Sequence, residues 1–184
     1  AQWLKSENYG ISKLEILPGN IGYIDFKWFC GPEYGGETYT AAMNYVAQSD
    51  ARIIDLRNSN GAMSTEVIPF VCSYFFEKST HINDLYWRQD DQLVQSWTHA
   101  VVPGKKYADK PIYILTSGNT FSGAEEFAYD LKNLKRATII GETTGGGANG
   151  GGTIRLTDHF NMFVPLGRAI NPITKTNWEG VGVE

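Results

Sequence analysis

At 184 residues and 20.5 kDa the chain has room for one ordinary domain with a sizeable core. Its 42% hydrophobic content, with five Trp, ten Tyr and nine Phe, excludes a disordered tail or a fibrous repeat. Sixteen Lys and Arg against twenty Asp and Glu leave a net charge of -4, without the broad basic footprint of a nucleic-acid binder, and no apolar run is long enough for a membrane-spanning helix. Twenty glycines stand well above the usual share of about 7%, and they are concentrated rather than spread.

Taken in chain order, residues 14–18 (LEILP) and 21–29 (IGYIDFKWF) read as strands joined by the turn Pro18-Gly19-Asn20, a hairpin. A loop at Gly31-Pro32 and Gly35-Gly36 precedes a helix over Glu37 to Asp50, where Ala42, Tyr45 and Val46 fall at helical spacing. ARIIDL (51–56) reads as a buried strand running into the polar turn Arg57-Asn58-Ser59-Asn60-Gly61. A second helix starts near Thr65, with Pro69 tolerable in its first turn.

Strand-like pieces follow around Ile82–Trp87 and Gln92–Thr98, then a buried strand at PIYIL (111–115). From Gly123 to Leu134 the apolar residues Ala124, Phe127, Ala128 and Leu131 fall at i, i+3, i+4 and i+7, an amphipathic helix, and Ala137–Ile140 gives the next strand. This alternation predicts an α/β fold with parallel strands and right-handed crossover helices. Beyond Gly141 no helical period remains, and the chain's end reads as a β extension. Cys30 and Cys72 have no metal-ligand spacing and are expected to pack as small apolar groups.

Three segments can carry chemistry. In TSGNTFSGAEEFA (116–128), Ser122 stands where a strand ends and a helix begins, the rim at which α/β sheets bind ligands. A hydroxyl there can attack a carbonyl while the Gly123 amide and the helix dipole stabilise the oxyanion. The competing reading is structural, since Ser122-Gly123-Ala124-Glu125 is also a helix capping box. In IIDLRNSNGAM (53–63), Gly61 allows close backbone approach and its amide is a candidate second oxyanion donor, or else a turn residue requiring positive φ. Gly61 and Ser122 are expected at the same rim.

The third is GETTGGGANGGG (141–152). Gly145, Gly147 and Gly150 satisfy the dinucleotide spacing, but a strand-like TIRL follows instead of a helix, and no acidic residue stands about 20 positions on. A flexible or substrate-facing loop is expected instead. His81, His99 and His159 share no metal spacing and read as surface or structural, with His159 beside Asp158 the least readily dismissed. Glu179, between Trp178 and Gly180, reads by itself as a solvated carboxylate.

LPGNIGYIDF, ARIIDLRNSNGA, PIYILTSGNTFSGAEEFAYDLKNLKRATIIGETTGGG and GRAINPITKTNWEGVGVE together resemble the tail-specific (C-terminal processing) serine peptidase family. The closest branch is that of tricorn core protease and the interphotoreceptor retinoid-binding protein repeats. The resemblance implies a crotonase-like, or Clp-protease-like, α/β core. It implies Ser122 as nucleophile, the Gly61 and Gly123 amides as oxyanion hole, and Glu179 as the acid that orients a catalytic histidine. It implies a polypeptide substrate, no cofactor or metal, and an exported location, periplasmic or secreted.

The place of the lysine base in the Ser-Lys branch is held here by Gly147, which favours the tricorn-type arrangement. The DLR turn carries one glycine where relatives carry more, and the family's histidine lies upstream of the core. Residues 1–184 are therefore expected to be one catalytic core domain, shortened at both ends and inactive as an isolated fragment. The competing expectation is a non-catalytic module binding a hydrophobic ligand such as a retinoid or fatty acid, since fold does not fix function. Acyl-CoA chemistry is a weaker third reading.

Overall fold

The computed structural model describes residues 2–184. After a short helix α1 (Gln2–Ser6) the chain forms β1 (Ile11–Leu17), β2 (Ile21–Phe26), α2 (Pro32–Tyr45), β3 (Ala51–Asp55) and α3 (Val67–Cys72). Then come β4 (His81–Trp87), β5 (Gln92–Trp97), β6 (Ile112–Thr116), α4 (Gly123–Asn133), β7 (Thr138–Gly141), β8 (Gly151–Arg155), β9 (Asn161–Pro165) and β10 (Gly167–Ile170). The central sheet has the order β1-β2-β3-β6-β7: β1 and β2 are the antiparallel hairpin, and every other pair is parallel. This is the expected α/β architecture, with α2, α3 and α4 in the crossovers.

The alternation of β2 drives Gly22, Ile24 and Phe26 into the core, because successive strand residues point to opposite faces. Phe29, Phe75 and Phe127 join them in a chain of aromatic contacts with ring centroids 4.7–6.0 Å apart, so α4 is anchored to the sheet by the same apolar mass that fixes β2. Arg52, on β3, is wholly buried. Its guanidinium lies 3.8 Å from the Tyr107 ring centre and donates to the Met43 and Val46 carbonyls at 3.3 and 3.1 Å. It thus ties β3 to the C-terminal end of α2, where it shares the Val46 carbonyl with the Ser49 amide and hydroxyl, while burial pulls its pKa down to about 10.

The structure corrects the bounds of one helix and adds detail to two readings that it bears out. Helix α2 starts at Pro32 and runs through Gly35 and Gly36, because proline's fixed φ suits a first helical position, and a methyl group on Gly35 would lie 3.0 Å from Cys30 Cβ. The pieces at 82–98 are β4 and β5, paired with β10 in a separate three-stranded antiparallel sheet. The closing residues 177–184 form turns rather than strand, although β8–β10 do supply the β extension. Cys30 and Cys72 are buried free thiols, as expected.

Candidate active site

The site is assembled where two parallel strands end side by side. At the end of β3, Asp55 accepts the Arg57 amide at 3.0 Å, two Arg57 side-chain nitrogens at 2.6–3.1 Å, and the Tyr23 hydroxyl at 2.7 Å. Burial alone would raise the Asp55 carboxyl, but these hydrogen bonds outweigh it and hold it below its ordinary value; the same contact and burial push Tyr23 up to about 12. The Asp-Leu-Arg turn is thereby locked. The loop after β6 is bolted onto it: Ser117 Oγ donates to the Arg57 carbonyl at 2.5 Å, Thr120 Oγ1 to the Leu56 carbonyl at 2.8 Å, and the Phe121 amide to the Ser59 carbonyl at 3.0 Å.

This clamp brings Gly61 and Ser122 together at the rim. Gly61 has φ +123°, and a methyl group added to it would lie 2.9 Å from Ser122 Cβ; one added to Gly123 would lie 2.4 Å from Ala62 Cβ. Both glycines are required by close approach. Ser122 itself has φ 54° and ψ -124°, a sharp strand-to-helix elbow that side-chain-bearing residues seldom adopt. Among the described residues, the amides of Gly61 and Gly123 donate to no protein acceptor. Gly123 opens α4, where an amide has no intrahelical partner. A hydroxyl near two uncommitted amides is an arrangement able to hold a developing oxyanion.

The capping-box reading is half fulfilled. The two halves of the box face each other, but only the carboxylate half is a full hydrogen bond: the Ser122 amide donates to Glu125 Oε2 at 2.7 Å. The Glu125 amide goes to the Ser122 carbonyl at 2.9 Å, and the hydroxyl makes no cap bond. Glu125 therefore caps the helix while leaving Ser122 Oγ uncommitted. Wholly buried, it also accepts Thr144 Oγ1 and the Gly146 amide at 2.6 Å each and the Gly147 amide at 2.9 Å.

The glycine-rich loop is pinned rather than flexible. Besides Glu125, Glu179 Oε2 accepts the Ala148 and Asn149 amides at 2.8 and 3.0 Å, and Trp178 Nε1 donates to the Gly147 carbonyl at 3.1 Å. A side chain on Gly147 would meet the Phe121 ring at 2.3 Å, so a lysine at this position, as in the Ser-Lys branch, would need that exposed ring to move. The pinned loop forms one wall of a cleft of about 550 Å³ that includes Ser122, Gly123, Glu126 and Glu179. Gly61 faces a neighbouring cleft of about 310 Å³ with Trp3, Trp28 and Met63.

The histidines lie elsewhere. His81 bonds Asp84 at 2.6 Å and stacks on Trp97, His99 sits against Phe70, and His159 is exposed in the turn between β8 and β9. None lines the cleft at Ser122.

Sequence reasoning missed two residues here. Ala62 pairs with Phe29 in a short parallel bridge, in which the Phe29 amide takes the Gly61 carbonyl and the Met63 amide takes the Phe29 carbonyl. The Ala62 amide is thus left on the Ser122 side, where a methyl group on Gly123 would approach it to 3.0 Å. Glu126 is half-buried, and desolvation lifts its carboxyl to about 7, partly offset by a hydrogen bond from Asn83 Nδ2 at 3.0 Å.

A pH dependence follows from that shift. Below pH 4.5 the Glu126 carboxyl is protonated in both folded and unfolded chains and contributes no difference. Between 4.5 and about 7 the unfolded chain releases the proton that the folded chain keeps, so stability falls, and the loss is complete above about 7 at about 3 kcal/mol. Asn83 is its hydrogen-bond partner, and the Asp130 carboxyl and Cys72 thiol lie within its electrostatic reach. Glu126→Gln is expected to be stabilised by up to that amount at pH 8 and by nothing at pH 4. Denaturant titrations at both pH values check this, and an equal difference at the two would refute it.

The family model described as Peptidase family S41 matches residues 20–184. The Carboxyl-terminal-processing protease of Synechocystis sp. is 29% identical over 130 residues, covering 70% of this chain and 29% of that protein. Among solved structures, an S41 protease of Bacteroides fragilis superposes with a TM-score of 0.80 at 17% identity, over 95% of this chain and 49% of the other. The photosystem II D1 C-terminal processing protease superposes with a TM-score of 0.67 at 19% identity, over 92% and 43%. These structural likenesses speak for the fold, and the chain spans less than a third of the curated relative's length.

Proposed function

Because the chain belongs to peptidase family S41, we propose that it is the catalytic core of a serine endopeptidase that cleaves polypeptides through an acyl-enzyme on Ser122. One observation carries this reading: an elbow-held hydroxyl without a cap bond sits beside uncommitted amides at the mouth of a cleft. Ser122 Oγ attacks the scissile carbonyl and gives its proton to a base. The negative oxygen of the tetrahedral intermediate is met by the Gly61 and Gly123 amides, with the Ala62 amide alongside. Collapse expels the amine, which takes the proton from the base, and water then releases the acyl group by the same steps.

No cofactor enters this scheme. The base is a histidine contributed from outside residues 1–184, and Glu179, whose Oε1 makes no protein hydrogen bond among the described residues, orients it. The location is extracytoplasmic, as the resemblance implies. Among the described residues, no helix is long and apolar enough to cross a membrane.

The binding-module reading has one observation in its favour, a largely apolar cleft of about 470 Å³ between α2 and the Phe70 and Pro103 side chains, away from Ser122. A fluorophosphonate probe separates the two. The full-length protein is expected to be labelled at Ser122 and Ser122→Ala to remain unlabelled; labelling that ignores the substitution would reject the peptidase reading.

A further inference from the structure

Glu126 lies four residues beyond Ser122, one turn along α4, and its amide donates to the Ser122 carbonyl at 3.0 Å. The carboxyl opens into the cleft at Ser122, whose walls include Leu85, Trp87, Ala169 and Trp178. One of its oxygens accepts the Asn83 side chain at 3.0 Å; the other has no protein partner among the described residues and is not closed off from the cleft. Behind it Asp130 is wholly buried, and both its carboxyl oxygens are unpartnered, as are the buried Asn83 Oδ1 and Asn171 Nδ2. No Lys, Arg or His lines the cleft. The pocket thus places the Glu126 carboxyl under apolar walls, with one oxygen open and no cation supplied.

We propose that Glu126 forms the floor of the pocket for the substrate side chain on the acyl side of the scissile bond, and that it selects lysine or arginine there. This rests on the reading of Ser122 as nucleophile. A Lys or Arg side chain lays its methylene stem along Leu85 and Trp87 and brings its charged head to the open Glu126 oxygen. An apolar side chain fills the walls but leaves the carboxyl desolvated without a partner, and an acidic one is repelled. Asp130, behind Glu126, is held protonated by its burial, so Glu126 is the group that meets the substrate's charge.

Product peptides test the pocket without requiring turnover. In the full-length protein carrying Ser122→Ala, a peptide ending in lysine is expected to bind at least about 10-fold more tightly than the same peptide ending in norleucine, which keeps the stem and removes the charge. Adding Glu126→Gln is expected to erase that preference, with norleucine binding no weaker than before because no charge is left desolvated beneath it. In the otherwise unaltered protein, Glu126→Gln lowers kcat/KM for a lysine substrate about 100-fold against a leucine one. Equal affinities for the two product peptides, or a preference that survives Glu126→Gln, would overturn the proposal. If lysine preference holds while cleavage persists in Ser122→Ala, the nucleophile assignment fails and the pocket stands.

Discussion

Glu125→Gln is expected to cost about 4 kcal/mol of stability and to lower peptidase activity at least about 100-fold. The wholly buried carboxylate accepts four hydrogen bonds, two on each oxygen: Thr144 Oγ1 and the Gly146 amide on Oε1, and the Ser122 and Gly147 amides on Oε2. A glutamine keeps one acceptor oxygen and turns the other position into a donor. Whichever way the amide faces, two donors lose their acceptor; the backbone amides among them meet another N–H, while the Thr144 hydroxyl can turn to accept from it, and each such loss costs about 1–3 kcal/mol. The elbow at Ser122 and the loop at 144–147 then separate, and the hydroxyl loses its fixed position. Urea titration measures the first effect, and faster hydrogen exchange at Gly146 and Gly147 locates it. A stability change below about 1 kcal/mol would show that the carboxylate is not the tie between these segments.

Ser122→Ala is expected to have the opposite profile, a very large loss of rate with little loss of stability. Removing a serine nucleophile costs on the order of 10⁶ in kcat where the residues act as a unit, leaving only the contribution of the oxyanion donors and binding. The hydroxyl makes no cap bond, so its removal is expected to change stability by less than about 1 kcal/mol. Alanine keeps the strain of φ 54°, and Ser122→Gly, which relieves it, is expected to be the more stable of the two by about 1 kcal/mol. Peptide cleavage by the full-length protein, together with denaturation of all three forms, checks both halves.

Much of the fold was legible because its signals are local. Alternation in β2 and the i, i+3, i+4, i+7 pattern of α4 announce their elements directly. The start of α2 was not, since Pro32, Gly35 and Gly36 read as breakers until proline's tolerance at a first turn and the tight packing against Cys30 are seen. Nor was the separate sheet, in which β4 pairs with a strand that begins at Gly167.

The site divides in the same way. Gly61 and Ser122 could be placed at one rim because each lies in the loop after one of two adjacent parallel strands, β3 and β6. Glu125 was visible only as a cap, since its other partners are Thr144, Gly146 and Gly147, far along the chain. Glu126 gave no signal at all: an acid in the first turn of a helix is an ordinary favourable placement, and its desolvation and its contact with Asn83, 43 residues away, arise only in the folded chain.

The most direct test of the central claim is to trap the acyl-enzyme. The full-length protein is mixed with a slowly deacylating ester substrate, quenched in acid and digested, and the modified peptide is identified by mass spectrometry. The account predicts one acyl group, on the peptide containing Ser122, absent from Ser122→Ala. Turnover without any acyl adduct, or an adduct on another residue that persists in Ser122→Ala, would contradict it.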